Sequence, residues 1–192
     1  LYVSDSETYT VKQAVVEQAI AKRINLRNIN LDGEDLSGAD LSGARMTYAR
    51  LNYAVCIGTD FTKSTLVNVN CEQTTFNGAL FIDADCTDSE CRSATLDNAN
   101  CTAADFTRSK CNIEQCTGAD FTQSTFIDAK CERANFTKTT LVNANCTGAN
   151  FTQSTFIDVD WTNSDLTNAK IFNADCFSVD FTNATLVNAN CA

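Results

Sequence analysis

From Leu26 onward every fifth residue of the chain is apolar, without a slip in register, as far as Cys191. The column runs through Leu31, Leu36, Leu41 and Met46 to Phe61, Cys71, Phe121, Trp161 and Leu186, 34 positions in all. With hydrophobic residues at 44% of the chain, a random column would do this roughly once in 10^12 draws, so the period belongs to the fold. A second column lies two residues before each centre, where Ala fills 18 of the 34 places and Ser, Thr or Val most of the rest. One residue before the centre, Asp and Asn are frequent, as at Asp40, Asn70, Asp120 and Asn150. A period of five matches neither the roughly 3.6-residue turn of a helix nor the two-residue alternation of a strand. It fits a chain that turns a corner every five residues, with one large and one small side chain inward on each side.

The motif Ala-(Asp/Asn)-(Leu/Phe)-x-x, seen as Ala39-Asp40-Leu41-Ser42-Gly43 and Ala119-Asp120-Phe121-Thr122-Gln123, resembles that of the pentapeptide-repeat proteins. The resemblance covers about 24–192. It implies an all-β solenoid, a right-handed quadrilateral parallel β-helix with four repeats per coil and the centre and small residues pointing in. The repeats then make about 8.5 coils, and at roughly 4.8 Å per coil the rod is about 40 Å long. Two regions follow: 1–23, an N-terminal extended segment and capping α-helix, and 24–192, the repeat itself. In the first, Thr10-Val11-Lys12-Gln13 reads as a capping box, and Val11, Ala14, Val15 and Ala19 make one apolar face. A solenoid exposes its bore at both ends, so this helix is expected to plug the N-terminal end, with partner binding as its alternative use. At the other end the repeat stays in register to Cys191-Ala192. Either the chain is trimmed there or a second copy covers it, through Cys191 and the outward-pointing Phe172 and Phe177.

Cys recurs at 56, 71, 86, 101, 116, 131, 146, 176 and 191, with Trp161 in the one skipped place, which marks a 15-residue unit. Against a 20-residue coil this unit advances one side per repeat, so each side tends to alternate small and large centres, as in Leu96, Cys116, Phe136, Phe156 and Cys176. Interdigitated sizes fill a narrow interior densely. All eleven cysteines fall in the centre column and are expected to point inward. Cys71, Cys91, Cys111 and Cys131 stack one coil apart on one side. Their Cα spacing of roughly 4.8 Å suits a disulfide, but parallel side chains keep the Cβ atoms wider apart than a disulfide usually has them. A straight ladder also lacks the tetrahedral arrangement that zinc takes. The cysteines are read as small buried hydrophobes, with structural disulfides and metal binding as the alternatives, and no cofactor is expected. So many thiols favour a reducing compartment. The polar start from Leu1 to Thr10 is unlike a signal peptide, so a cytoplasmic location is expected unless a leader was removed. No apolar run approaches the roughly 20 residues of a membrane helix.

Charge narrows the partners. The net −10, from 24 acids and 14 bases, argues against broad adhesion to nucleic acid or an anionic membrane. It leaves room for a basic protein partner, or for a protein site that normally holds DNA. The chain has no His, the side chain best suited to proton transfer near neutral pH; with the cysteines turned inward, an enzyme is not expected. Glu34 and Glu114 occupy the small inward column, where an unpaired carboxylate is costly, so a local distortion or a local partner is expected at each. Taken modulo 20, the side of Leu41, Phe61, Phe121 and Trp161 gathers Asp40, Asp60, Asp83, Asp120, Asp160 and Asp180 against Lys63. The side of Cys71 to Cys131 gathers Arg50, Arg92, Lys110, Lys130, Arg133 and Lys170 against fewer acids. The acidic side is a candidate partner surface as well as a solvating one. The expected function is a non-catalytic scaffold for protein–protein interaction. The resemblance implies an alternative, a DNA mimic that binds, protects or inhibits a type II topoisomerase, DNA gyrase.

Overall fold

The computed structural model of the protein describes residues 25–190, apart from 114. The expected capping helix, Glu114 and Cys191 therefore lie outside the described residues.

Most repeats close on a four-residue turn. In Leu36 to Ala39, the Ala39 N–H donates to the Leu36 carbonyl at 2.9 Å, and the third residue, Gly38, has φ of 69°. A positive φ in that place makes the turn type II. The same place is left-handed at Asn28, Lys63, Asp88, Asn143 and Asn188. Asn and Asp tolerate this conformation because their short side chains bond locally, which explains why the column after each corner is rich in them.

The corners bend the chain through four sides in twenty residues. Parallel bridges link each residue before a centre to the residue twenty further on, as in Asp40 to Asp60, Asn100 to Asp120 and Lys170 to Asn190. Between coils the Leu41 N–H donates to the Asp60 carbonyl at 2.8 Å, and the Asp60 N–H donates to the Ala39 carbonyl at 2.9 Å. In one place the pairing widens into strands, β1 (Thr155–Ile157) and β2 (Asp175–Phe177), parallel and with Phe156 opposite Cys176. The result is the right-handed quadrilateral parallel β-helix.

The two inward columns form the core. Leu41, Met46, Phe61, Phe121 and Trp161 are fully buried, and so are Ala39, Ala104 and Ala149 between them. Phenylalanine rings one coil apart lie parallel: Phe61 on Phe81 at 5.0 Å, Phe106 on Phe126 at 5.2 Å, Phe136 on Phe156 at 5.2 Å, whereas Trp161 meets Phe181 edge to face at 5.3 Å. Rings on neighbouring sides meet edge to face, as Phe121 and Phe126 do at 5.3 Å. Both are favoured geometries for aromatic quadrupoles. Large centres thus alternate with small ones in stacked pairs rather than singly. Most hydroxyls of the small column donate to a centre carbonyl, as Ser124 does to Phe121 at 2.6 Å and Thr59 to Leu36 of the preceding coil at 2.7 Å, which satisfies the buried oxygen; the Ser64 hydroxyl is buried with no such partner.

Of the two outcomes expected at Glu34, the distortion is absent. The residue stays in a regular turn, its N–H donating to Leu31 and its carbonyl accepting from Val55, and it is half-buried without distorting the coil. An irregular corner lies beside Glu114, at Ile113. Ile113 occupies the left-handed place but does not take a positive φ, a conformation from which β-branched residues are strongly excluded. Its N–H turns back to the Cys111 carbonyl at 2.6 Å, and its side chain is fully buried.

Candidate interaction surfaces

Five of the six acidic-side candidates share one column. Asp40 bridges to Asp60, Asn100 to Asp120, and Asp160 to Asp180, with Leu80, Asn100 and Thr140 filling the gaps. Asp83 sits at the adjoining corner, exposed and left-handed. Each column carboxylate caps its own turn. Asp60 Oδ1 accepts the Thr62 N–H at 2.8 Å, and Asp40, Asp120, Asp160 and Asp180 do the same for Ser42, Thr122, Thr162 and Thr182. Hydrogen bonds from the Ser42 side chain and backbone hold Asp40 below the usual carboxylate range, and those from Thr182 do the same for Asp180. The frequent Asp and Asn before the centre are thus Asx caps.

The opposite charge column is partly neutralised. Arg50 pairs with Asp32 and Lys110 with Glu90, each across one coil, while Lys130 and Lys170 are exposed. At a corner between sides, Arg108 grips Asp88 with two parallel bonds, Nε to Oδ1 at 2.8 Å and Nη2 to Oδ2 at 2.7 Å.

Of the C-terminal candidates, Phe172 is 43% exposed and Phe177 71%. Phe177 ends β2 opposite Ile157. In the same coil the centres Cys176 and Leu186 are exposed and Phe181 only half-covered, whereas their counterparts one coil earlier, Phe156, Leu166 and Trp161, are buried. Four exposed apolar residues are not foreseen from the sequence: Tyr48, Tyr53, Ile57 and, in the last described coil, Val187. The two tyrosines sit in the left-handed corner place, and the Arg27 guanidinium lies 5.1 Å from the Tyr48 ring centre, a cation–π contact. Their position two residues after Met46 and Leu51 was signal enough to find them.

The described cysteines other than Cys176 are buried. Burial in the apolar bore pushes the Cys56 thiol up to about 12, and Cys86, Cys101 and Cys116 well above the ordinary thiol value. Among the described residues no cluster of acidic or sulfur side chains has the geometry for a metal ion, and no helix is long and apolar enough to cross a membrane.

A profile of pentapeptide repeats matches the chain over residues 22–55, 54–85, 115–145 and 144–175, more than half its length, as eight copies. Among solved structures the chain is similar to HetL, a pentapeptide repeat protein involved in heterocyst differentiation regulation in the cyanobacterium Nostoc sp. strain PCC 7120. The identity is 21% over 92% of each chain, with a TM-score of 0.39. It is also similar to QnrB1, a plasmid-mediated fluoroquinolone resistance protein, at 17% identity over 81% of this chain and 90% of that one, with a TM-score of 0.37. A pentapeptide repeat protein of the Arabidopsis thaliana thylakoid lumen is 28% identical over 72% of this chain and 69% of its own, with a TM-score of 0.30. No curated protein sequence matches.

Proposed function

This chain belongs to the pentapeptide-repeat family, and we propose that it is a non-catalytic scaffold whose acidic side binds a basic surface of a protein partner in the cytoplasm. One observation carries the reading. In the column of Asp40, Asp60, Asp120, Asp160 and Asp180, one oxygen of each carboxylate is tied to the backbone two residues on. The carboxylates are thereby fixed in orientation at the coil spacing, and the second oxygen of each is available to a cation. Preorganised charge of this kind favours rapid, oriented encounter with a complementary surface. The test is partner capture with the wild-type chain and with a triple variant, Asp60→Asn, Asp120→Asn and Asp160→Asn. Asn keeps the cap and removes the charge, so equal recovery of the same partner by both chains would sink the proposal.

The second reading rests on the same column. A file of fixed negative charges also fits a protein groove built for DNA, which makes a DNA-mimicking ligand of a type II topoisomerase the alternative. A DNA gyrase supercoiling assay separates the two. Inhibition or protection by the wild type, lost in the triple variant, favours the topoisomerase; no effect at any stoichiometry leaves the scaffold.

A further inference from the structure

Cys71, Cys91, Cys111 and Cys131 stack on one inner side of the coil, one per turn, and all are buried. The Cys71 thiol donates to Cys91 Sγ at 2.9 Å, inside the van der Waals contact of two sulfur atoms. Further along the ladder, Cys111 Sγ lies 2.9 Å from the Ser109 hydroxyl. Backbone spacing alone argues against a disulfide here, since parallel Cβ atoms stand too far apart. The sulfurs, however, lean toward one another along the axis of the rod, and it is the sulfurs that react.

We propose that Cys71 and Cys91 are a peroxide-oxidisable pair that closes into a cross-coil disulfide. Two further features serve this chemistry. A cavity of about 20 Å³ borders Cys71, Cys86, Cys91 and Ser89, enough for one water-sized molecule. Hydrogen peroxide is little larger, whereas the bulk of glutathione keeps it out of a closed bore. The irregular corner at Ile113 also lies two residues after Cys111, its N–H turned back to the Cys111 carbonyl.

The steps balance. A thiolate attacks one peroxide oxygen, the O–O bond breaks, and the departing hydroxide takes up the proton the thiol released, leaving sulfenic acid and water. The neighbouring thiol then attacks the sulfenic sulfur, the S–S bond forms, and a second water carries off the hydroxyl and the proton. Two thiols are oxidised and one peroxide is reduced. Cys91 is suited to the first step. Hydrogen bonds from Cys111 and Cys71, with a smaller one from Ser89, hold its thiol low against the opposing effect of burial, while the bond to Cys91 pushes Cys71 up. Thiolate character is what peroxide selects.

The experiment treats the folded chain with hydrogen peroxide, blocks remaining thiols under denaturing conditions, and maps the linked peptides by mass spectrometry. The exposed Cys176 reports that the oxidant was active. The expected result is loss of two hydrogens in the peptides joining Cys71 to Cys91, with circular dichroism unchanged. A Cys71→Ala variant should lose that link, and a Cys101→Ala variant should keep it. Oxidation confined to Cys176, or links only between separate chains, would overturn the proposal. So would a Cys71–Cys91 link that appears only after the fold has been lost.

Discussion

Asn112 donates its side-chain amide to the Glu132 main-chain carbonyl at 3.1 Å, the acceptor that the Ile113 N–H serves in a regular coil. At the neighbouring corners the backbone makes this bond itself, Ser93 to Asn112 at 3.0 Å and Gly118 to Thr137 at 3.0 Å. The same amide reaches Glu132 Oε2 at 2.9 Å, and Asn150 holds Oε1 at 2.8 Å. A side chain thus restores the bond that the β-branched corner gives up. Replacing Asn112 with Ala should strand that half-buried carbonyl and cost about 1–2 kcal/mol, read as a lower midpoint in urea. An unchanged midpoint would mean that the carbonyl finds another donor.

The left-handed corners set a scale for Gly substitution. At Gly78 an added Cβ meets nothing within 4 Å, so Gly78→Ala should cost only the conformational term, about 1–2 kcal/mol. At Gly118 the same Cβ would lie 2.8 Å from Asn98 Oδ1. Gly118→Ala should therefore be the more damaging of the two in a thermal melt, and the reverse order would remove the steric argument.

Phe121 and Asp120 are adjacent in sequence and opposite in consequence. Phe121 is fully buried among Phe106, Phe126 and Phe136. Phe121→Asp places a charge in the bore and should cost more than about 4 kcal/mol, enough to unfold several coils. Asp120→Asn keeps the cap on Thr122 and should shift stability by less than about 0.5 kcal/mol. Circular dichroism melts of the two variants decide the matter.

Acid should loosen the rod from its outside. The Arg108 guanidinium, bonded to Asp88, holds that carboxyl below its ordinary value of 3.8, and bonds from Thr167 do the same for Asp165. A depressed folded-state value means that the stabilisation is complete above the unfolded value and is lost as pH falls through the folded one. Melting temperature should therefore be level from neutrality down to about pH 5 and decline below pH 4. Asp88→Asn should flatten part of that decline; an identical profile would show that the exposed pair contributes nothing.

The outward-facing pair Phe172 and Phe177 is a candidate contact to a second copy. Light scattering should report a dimer for the wild type and a monomer for the Phe172→Asp, Phe177→Asp double variant. A monomer in both cases removes this end as a self-contact.

What the sequence made legible was whatever burial repeats. Phe121, Ala39 and the column of Asp40 and Asp60 stand where the five- and twenty-residue periods put them, because an unbroken register converts residue number directly into side and coil. Departures from the period were harder to read. Beside Glu114, which lies outside the described residues, Ile113 carries a signal of its own as the one β-branched residue in a corner column otherwise filled by Gly, Asn, Asp and other residues unbranched at Cβ. A Ramachandran argument applied to that column would have found it. The Cys71–Cys91 contact was hidden for another reason: spacing fixes Cα positions, whereas the approach of two sulfurs depends on side-chain rotamers.

The stacked ring pairs also limit how such a rod can lengthen. A fifteen-residue sequence unit laid on a twenty-residue coil behaves as a vernier, and its two scales coincide only after four units, which is three coils. Gain or loss of a single coil would keep every corner and every charge column but put Phe136 over a partner other than Phe156. Gain or loss of a single unit would keep the motif and rotate each downstream face by a quarter turn. Only three-coil steps preserve surface and interior together, so the length of this rod is quantised more coarsely than its backbone requires.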